Sequence, residues 1–420
     1  MFPFSVLQLK QYSTSSRSNH VSTRLTREGL QFIFLLLFIV LAAILQSINM
    51  LVLMSGTFSA MLLIQWRLCS RTLAEISAIR VLPSTIQARK PFPVQIAMTN
   101  PRKLLGSWLL MIRDRLAPDD TPYGHGGLGQ CIVLMLGRLL PQSTSTVVYQ
   151  CSVPTRGCYQ FSDPEISTRF PLSLMRCFRS LPAKQSILAH PTQGTIAPNW
   201  RELLQLPEQG RLLRQASTAG GDGEFFGLRD YRSGDPMRHV HWRTSAKRGE
   251  LVIRQFEREE NRAIGIVLDL WGVSMKDQSQ HVLLEFAIEL VASLITRVVC
   301  DERSVATLSI TTDEGPVVSR IQTVNQLTVS LDRLAVVHSQ LNDTLTSTLH
   351  QTLRFTGGRE PIIVVSTRSK SEFKENVSDT SSNLNADIKN KRNETTVAIE
   401  GRLVWLDVAH DRLEQFFVQG

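Results

Sequence analysis

Residues 223–257, GEFFGLRDYRSGDPMRHVHWRTSAKRGELVIRQFE, crowd seven basic and five acidic side chains among glycines, aromatics and two histidines. Several kinds of chemistry could use that mixture. His239 and His241 alternate, which places both imidazoles on one face if residues 238–242 are extended. Two such groups can bind a metal or serve as acid and base. Ser245 has Lys247 two residues on and His241 four before, a nucleophile pairing if the groups come within hydrogen-bond reach. A hydrolase or nuclease would then rest on His241, Asp235 and Ser245. Against it, the stretch has no third ligand at metal spacing and no G-x-S-x-G elbow. Its near-balanced charges favour mutual salt bridges over a phosphate groove. Gly227, Gly234 and Asp235-Pro236 mark turns. The expectation is therefore a braced local fold with no catalytic residue and no cofactor.

A second candidate ends a strand. AIGIVLDL (263–270) is a continuous apolar run reaching Asp269, as in strands buried on both faces of a parallel sheet. Ligands bind at the carboxyl ends of such strands. Asp269 could thus be a metal ligand like those of von Willebrand factor A domains, whose D-x-S-x-S loop offers Mg²⁺ hard oxygen ligands. Here the loop reads Asp269-Leu270-Trp271-Gly272-Val273, with Ser274 out of register, and Arg368 follows the strand PIIVVST where such domains carry an Asp. Both departures remove oxygen ligands, so no metal is expected, and a metal-dependent adhesion module is the weakest of the readings.

The elements that must position these residues are unequal in kind. A chain of 420 residues has room for two or three domains, and 43% apolar with 20% charged residues fits ordered globular structure. The net charge of +9 favours an anionic surface or an acidic protein; nucleic acid is not expected, because bases and acids interleave. The six cysteines form no C-x-x-C pair and read as free thiols. No charged residue occurs from Gly29 to Trp66. As one helix that run would be about 57 Å long, nearly twice the hydrocarbon core, so it must break, at Gln46, Ser47 and Asn49. The expectation is a transmembrane hairpin over 29–66. Basic residues on both flanks set both ends in the cytoplasm.

Residues 1–28, basic and rich in Ser and Thr, are expected to be disordered. Short β-rich runs with alternation at Val94, Ile96 and Met98 predict a β-sandwich over 82–192. The loop GHGGLG (124–129) lacks the Lys-Ser/Thr ending of a phosphate loop. The signature segment covers 210–262. From 263 to 420 strands and helices alternate: helices are predicted over 281–300, 326–337 and 343–354, and strands over 304–311, 361–367 and 401–408. They predict a doubly wound α/β domain with an exposed polar insertion at 368–398.

The stretch at 223–257 resembles the signature of a bacterial family known as domain of unknown function 58. Glu224, Phe225, Gly227, Leu228, Arg229, Tyr231, Gly234, Asp235, Arg238, Trp242, Ser245, Ala246, Leu251, Arg254, Phe256 and Glu257 match it in order. TRFPLSLMR (168–176) resembles the family's T-x-F-P-F-G-L. The resemblance implies a membrane hairpin, a β-rich domain, the signature and a von Willebrand factor A-like domain. It also implies a MoxR-type AAA+ ATPase as partner, possible company from a transglutaminase-like membrane protein, and a role in assembling or maturing other proteins. The expected protein is a plasma-membrane scaffold. Its interaction residues are Glu224, Arg229, Tyr231, Asp235, Arg238, His241, Trp242, Ser245, Arg254 and Glu257.

Overall fold

The computed structural model describes residues 21–46, 48–119, 129–204, 206, 225–233, 235, 237–256, 263–272, 278–340, 342–356, 360–373, 403–409 and 413–419. Residues 1–20, most of GHGGLG, Glu224, Gly234, Pro236, Glu257 and the insertion from 374 onward lie outside them. The chain is a mixed α/β protein with two compact units, residues 1–190 and 191–420.

The first unit begins with two helices, Arg27–Gln46 and Asn49–Leu73, that meet at the expected polar break. Both are long and apolar enough to cross a membrane. The second runs past the apolar segment because Gln65, Cys69, Thr72 and Leu73 recur at helical spacing and are buried against the β-rich part of the unit. The segment just before the first helix is ordered, contrary to expectation. Ser22–Leu25 is a strand paired antiparallel with Met175–Phe178, which satisfies its backbone.

The remaining strands form two sheets. Ser77–Val81, Phe92–Asn100 and Ser143–Cys151 make an antiparallel sheet of three. An eight-stranded sheet is centred on Ser107–Pro118, which pairs with Gln130–Leu139, Gly157–Phe161 and Glu165–Thr168. Period-two alternation buries Val94, Ile96 and Met98 in one apolar core with Leu110, Ile112, Phe161 and Ile166. Inside this unit lies an ion pair with both side chains wholly buried. Arg80 grips Asp114 through two hydrogen bonds, Nη2 to Oδ1 at 2.6 Å and Nε to Oδ2 at 3.1 Å. Tyr149 donates to Oδ2 at 2.6 Å, and the rest of the guanidinium donates to the carbonyls of Ala183 and Ser162.

The second unit is built on a five-stranded sheet in the order Val317–Ile321, Ala306–Ile310, Ile264–Asp269, Ile362–Ser366, Leu403–Asp407. The last four are mutually parallel, and the first is an antiparallel edge. All residues of Ile264–Asp269 and Ile362–Ser366 are buried, as their unbroken apolar runs require. Helices Gln278–Thr296, Val324–Val336 and Leu345–Thr356 lie within about three residues of their expected starts. Val324–Val336 opens on a capping box formed by Thr323 and Gln326.

Candidate functional site

The signature folds as a small module within the second unit. Phe225–Asp230 and Val252–Phe256 form an antiparallel hairpin with a register shift between Phe225 and Gly227. The chain between them carries a 3₁₀ turn, Met237–His239, a bridge from Val240 to Ile253, and a helix, Trp242–Arg248. Gly249 ends that helix in the left-handed region at φ 74°, a C-terminal geometry that glycine supplies without strain.

Residues 238–242 are thus not extended, and the two histidines have separate tasks. His239 is buried, with its Nε2 accepting from Arg238 Nε at 3.0 Å. His241 caps the helix: its Nδ1 accepts from the Thr244 N–H at 3.2 Å. Ser245 is buried. Its hydroxyl accepts from the Val252 N–H at 2.9 Å and donates to the His241 carbonyl at 3.1 Å, which ties the helix to the hairpin. Asp235 is paired with Arg229 at 2.7 Å and accepts the Arg232 N–H at 2.8 Å. The Arg229 hydrogen bond and the Arg232 N–H hold its carboxyl below the usual range. The His241 imidazole thus meets Thr244, the Asp235 carboxylate meets Arg229 and Arg232, and the Ser245 hydroxyl meets Val252 and the His241 carbonyl. Removing the Ser245 hydroxyl leaves a buried N–H without its acceptor. Ser245→Ala is expected to destabilise the second unit by about 1–3 kcal/mol, read as a lowered thermal midpoint of the full chain in detergent.

The outside of the module is different in character. Trp242 is 61% exposed and Met237 53% exposed, with Leu228 and Leu251 also open to solvent. Arg238, Arg243, Lys247, Arg248 and Arg254 are exposed around them, and Tyr231 is half-buried.

The other candidate, Asp269, stands at the carboxyl end of the central strand, 1% exposed. What meets it there is a cation from the chain itself. Arg368 donates Nε to Asp269 Oδ2 at 2.8 Å, and its two terminal nitrogens grip Asp343 at 2.7 and 2.9 Å. Ser366 donates to the same Asp269 oxygen at 2.9 Å. The guanidinium lies 4.5 Å from the Trp271 ring centre and 5.3 Å from that of Phe373, and the Trp405 indole N–H donates to the Arg368 carbonyl. Arg368 fills the space among the oxygens of Asp269, Asp343 and Ser366, so these residues do not offer an open cation site. The expected exposed insertion does not begin at Arg368, which is only 5% exposed and is neutralised by two carboxylates. Burial pushes the Asp269 carboxyl up, against the opposing pull of Arg368 and Ser366. Asp343 goes the other way: burial raises it, but the hydrogen bonds and charge of Arg368 outweigh that and hold it below the usual range. Asp343 was not singled out from the sequence, where it reads only as the start of a helix.

The model of the family described as "Protein of unknown function DUF58" matches residues 227–318, from the signature hairpin into the edge strand. That match supports the resemblance found in the signature. No curated protein matches the chain. Among solved structures, the CARDB domain of the PF1109 protein from Pyrococcus furiosus is similar at 11% identity over 27% of this chain and 92% of its own, with a TM-score of 0.18. The superoxide reductase (neelaredoxin) from Ignicoccus hospitalis is similar at 13% identity over 27% of this chain and 78% of its own, with a TM-score of 0.15.

Proposed function

We propose that the chain is a membrane-anchored interaction scaffold whose signature module docks a MoxR-type AAA+ ATPase in the assembly or maturation of other proteins. One observation carries the reading. The module turns its hydrogen-bonding chemistry inward, to backbone and to itself, while it presents Trp242 and Met237 to solvent. An exposed Trp with arginines nearby is the composition of an interface anchor rather than of a reaction centre. Its complement is a partner surface with an apolar pocket and an acidic rim. A transglutaminase-like membrane protein is a further candidate partner.

The architecture supports the same reading. The two apolar helices serve as a plasma-membrane hairpin, and the flanking Arg24, Arg27, Arg67 and Arg71 favour a cytoplasmic location for both ends. The first unit is read as a β-sandwich. The second, whose strand order places its first strand at the centre of a parallel set with an antiparallel strand at one edge, is read as a von Willebrand factor A-like domain.

Co-purification from detergent-solubilised membranes tests the docking face. The full-length chain is expected to retain the co-expressed ATPase, and Trp242→Ala to weaken retention tenfold or more, at the roughly 2 kcal/mol scale of an interface hot spot. The thermal midpoint should not move, because the indole is exposed. Equal retention by wild type and variant would remove the signature face from the reading.

A further inference from the structure

The segment TRFPLSLMR is not used by the docking reading, yet it holds the bases of both apolar helices. On one side Gln65, buried in the second helix, donates its side-chain amide to the Arg169 carbonyl at 3.3 Å and accepts the Leu172 N–H at 2.8 Å. On the other, Thr26 at the head of the first helix donates its N–H to the Leu174 carbonyl at 3.1 Å, and its hydroxyl lies 2.8 Å from the carbonyls of Ser173 and Leu174. Gly29 packs so closely that a Cβ would lie 1.9 Å from the Leu174 carbonyl oxygen. Residues 169–174 are therefore a collar clasped by both helices.

The collar limits how much helix is free. From Gly29 to Gln46 is about 26 Å and from Asn49 to Gln65 about 24 Å at 1.5 Å per residue. The hydrocarbon core is about 30 Å thick. Neither helix has apolar length to spare, so a hairpin that spans the bilayer draws the collar to the polar boundary.

The side chains at that level suit the place. Trp66, next to Gln65, is 46% exposed. Trp108 stacks on Phe170 of the collar at 6.1 Å between ring centres, with the Arg138 guanidinium 4.4 Å from its own. The strand pairing keeps its register from Trp108 opposite Arg138 to Leu110 opposite Leu136, and Leu109 between them takes a left-handed backbone at φ 48°. That left-handed backbone is strained for leucine, and both Trp108 and Leu109 are exposed. Leu172 of the collar is exposed as well, and Arg27, Arg67 and Arg169 stand open nearby in the sequence of the same elements. Trp, Leu and Arg together are the residues of a membrane interface: amphipathic rings sit at headgroup depth, and arginines pair with anionic lipid.

We infer that the collar face, built from Trp66, Trp108, Leu109, Phe170 and Leu172 with Arg138 and Arg169, is a lipid-binding surface that seats in the headgroup layer and holds anionic phospholipid. It rests on the reading of the two helices as a membrane hairpin. The test uses the full chain in nanodiscs of phosphatidylcholine and phosphatidylglycerol, with bromine on the acyl chains as a contact quencher of indole fluorescence. The emission lost in Trp108→Phe is expected to belong to the quenched fraction. The pair Arg138→Gln and Arg169→Gln is expected to lower the phosphatidylglycerol retained through mild purification threefold or more. A Phe38→Trp probe in the middle of the first helix separates the two readings. If that probe is quenched while the Trp108 emission is not, the collar surface is overturned and the hairpin stands. If the probe escapes quenching, the hairpin reading falls and the collar with it. Unchanged phosphatidylglycerol retention overturns the anionic preference.

Discussion

Asp114→Ala is expected to destabilise the first unit by about 3–5 kcal/mol, because it leaves the Arg80 guanidinium buried without its counter-charge. At 2–4 °C per kcal/mol for a unit of this size, the thermal midpoint should fall by roughly 6–20 °C. Calorimetry of the full chain in detergent measures it. The size of the effect comes from desolvation. Neither partner has any side-chain exposure, so water cannot replace the lost carboxylate. The remaining contacts of Arg80, to two carbonyls and over the Phe161 ring at 4.6 Å, satisfy hydrogen bonds but supply no negative charge.

Two companion variants separate charge from packing. Tyr149→Phe removes a single donor to the carboxylate and should cost about 1.5–3 kcal/mol. Burial first, and then the neighbouring carboxylate, push the Tyr149 phenol up, so it stays protonated and a donor across the usable pH range. The double replacement Arg80→Met with Asp114→Leu should recover most of the loss, since an apolar pair of similar volume removes both desolvation penalties. A loss below about 1 kcal/mol in Asp114→Ala would mean that water reaches the pair.

The pair also marks where sequence reasoning ends. The central strands of the second unit were legible because burial on both faces leaves an unbroken apolar run, as in IGIVLD and IIVVS. Val317–Ile321 was not foreseen: it is an edge strand of five residues, only half-buried, without such a run. Alternation revealed the core face of Phe92–Asn100. Arg80 and Asp114 are 34 residues apart on different strands, and nothing in the local sequence of either points to the other. In the signature, the order of residues was informative and their geometry was not. Whether His241 and Ser245 face a substrate or a backbone depends on a seven-residue helix, and periodicity says little over so short a span. Asp269 was legible as a strand end. Arg368 reads in the sequence as the loss of an oxygen ligand, but that its guanidinium would meet Asp269 and Asp343 depends on the packing of three separate segments.

That substitution has the second large consequence. Arg368→Ala is expected to destabilise the second unit by about 3–5 kcal/mol at pH 7, since it strands the Asp269 carboxylate at 1% exposure. The loss should depend on pH, and the sign follows from the two carboxyls. Asp343 in the wild type lies below its ordinary value. A depressed acid stabilises the fold above its unfolded value, near 3.9, and that contribution is lost as pH falls through the folded value. Asp269 already lies above its ordinary value through burial, and without the guanidinium it moves further up. A raised acid penalises the fold at pH above its folded value, and protonation relieves the penalty as pH falls through it. Between pH 7 and about pH 4 the Asp343 contribution persists in the wild type, while protonation relieves the more strongly raised Asp269 of the variant. The gap between their thermal midpoints should therefore narrow as pH falls across that range. Arg368→Lys should fall between the two, because a single ammonium keeps the charge but cannot bridge both carboxylates as the planar fork does. A pH-independent gap would show that Arg368 acts through its packing on Trp271 and Phe373, and the charge account of this strand end would fail.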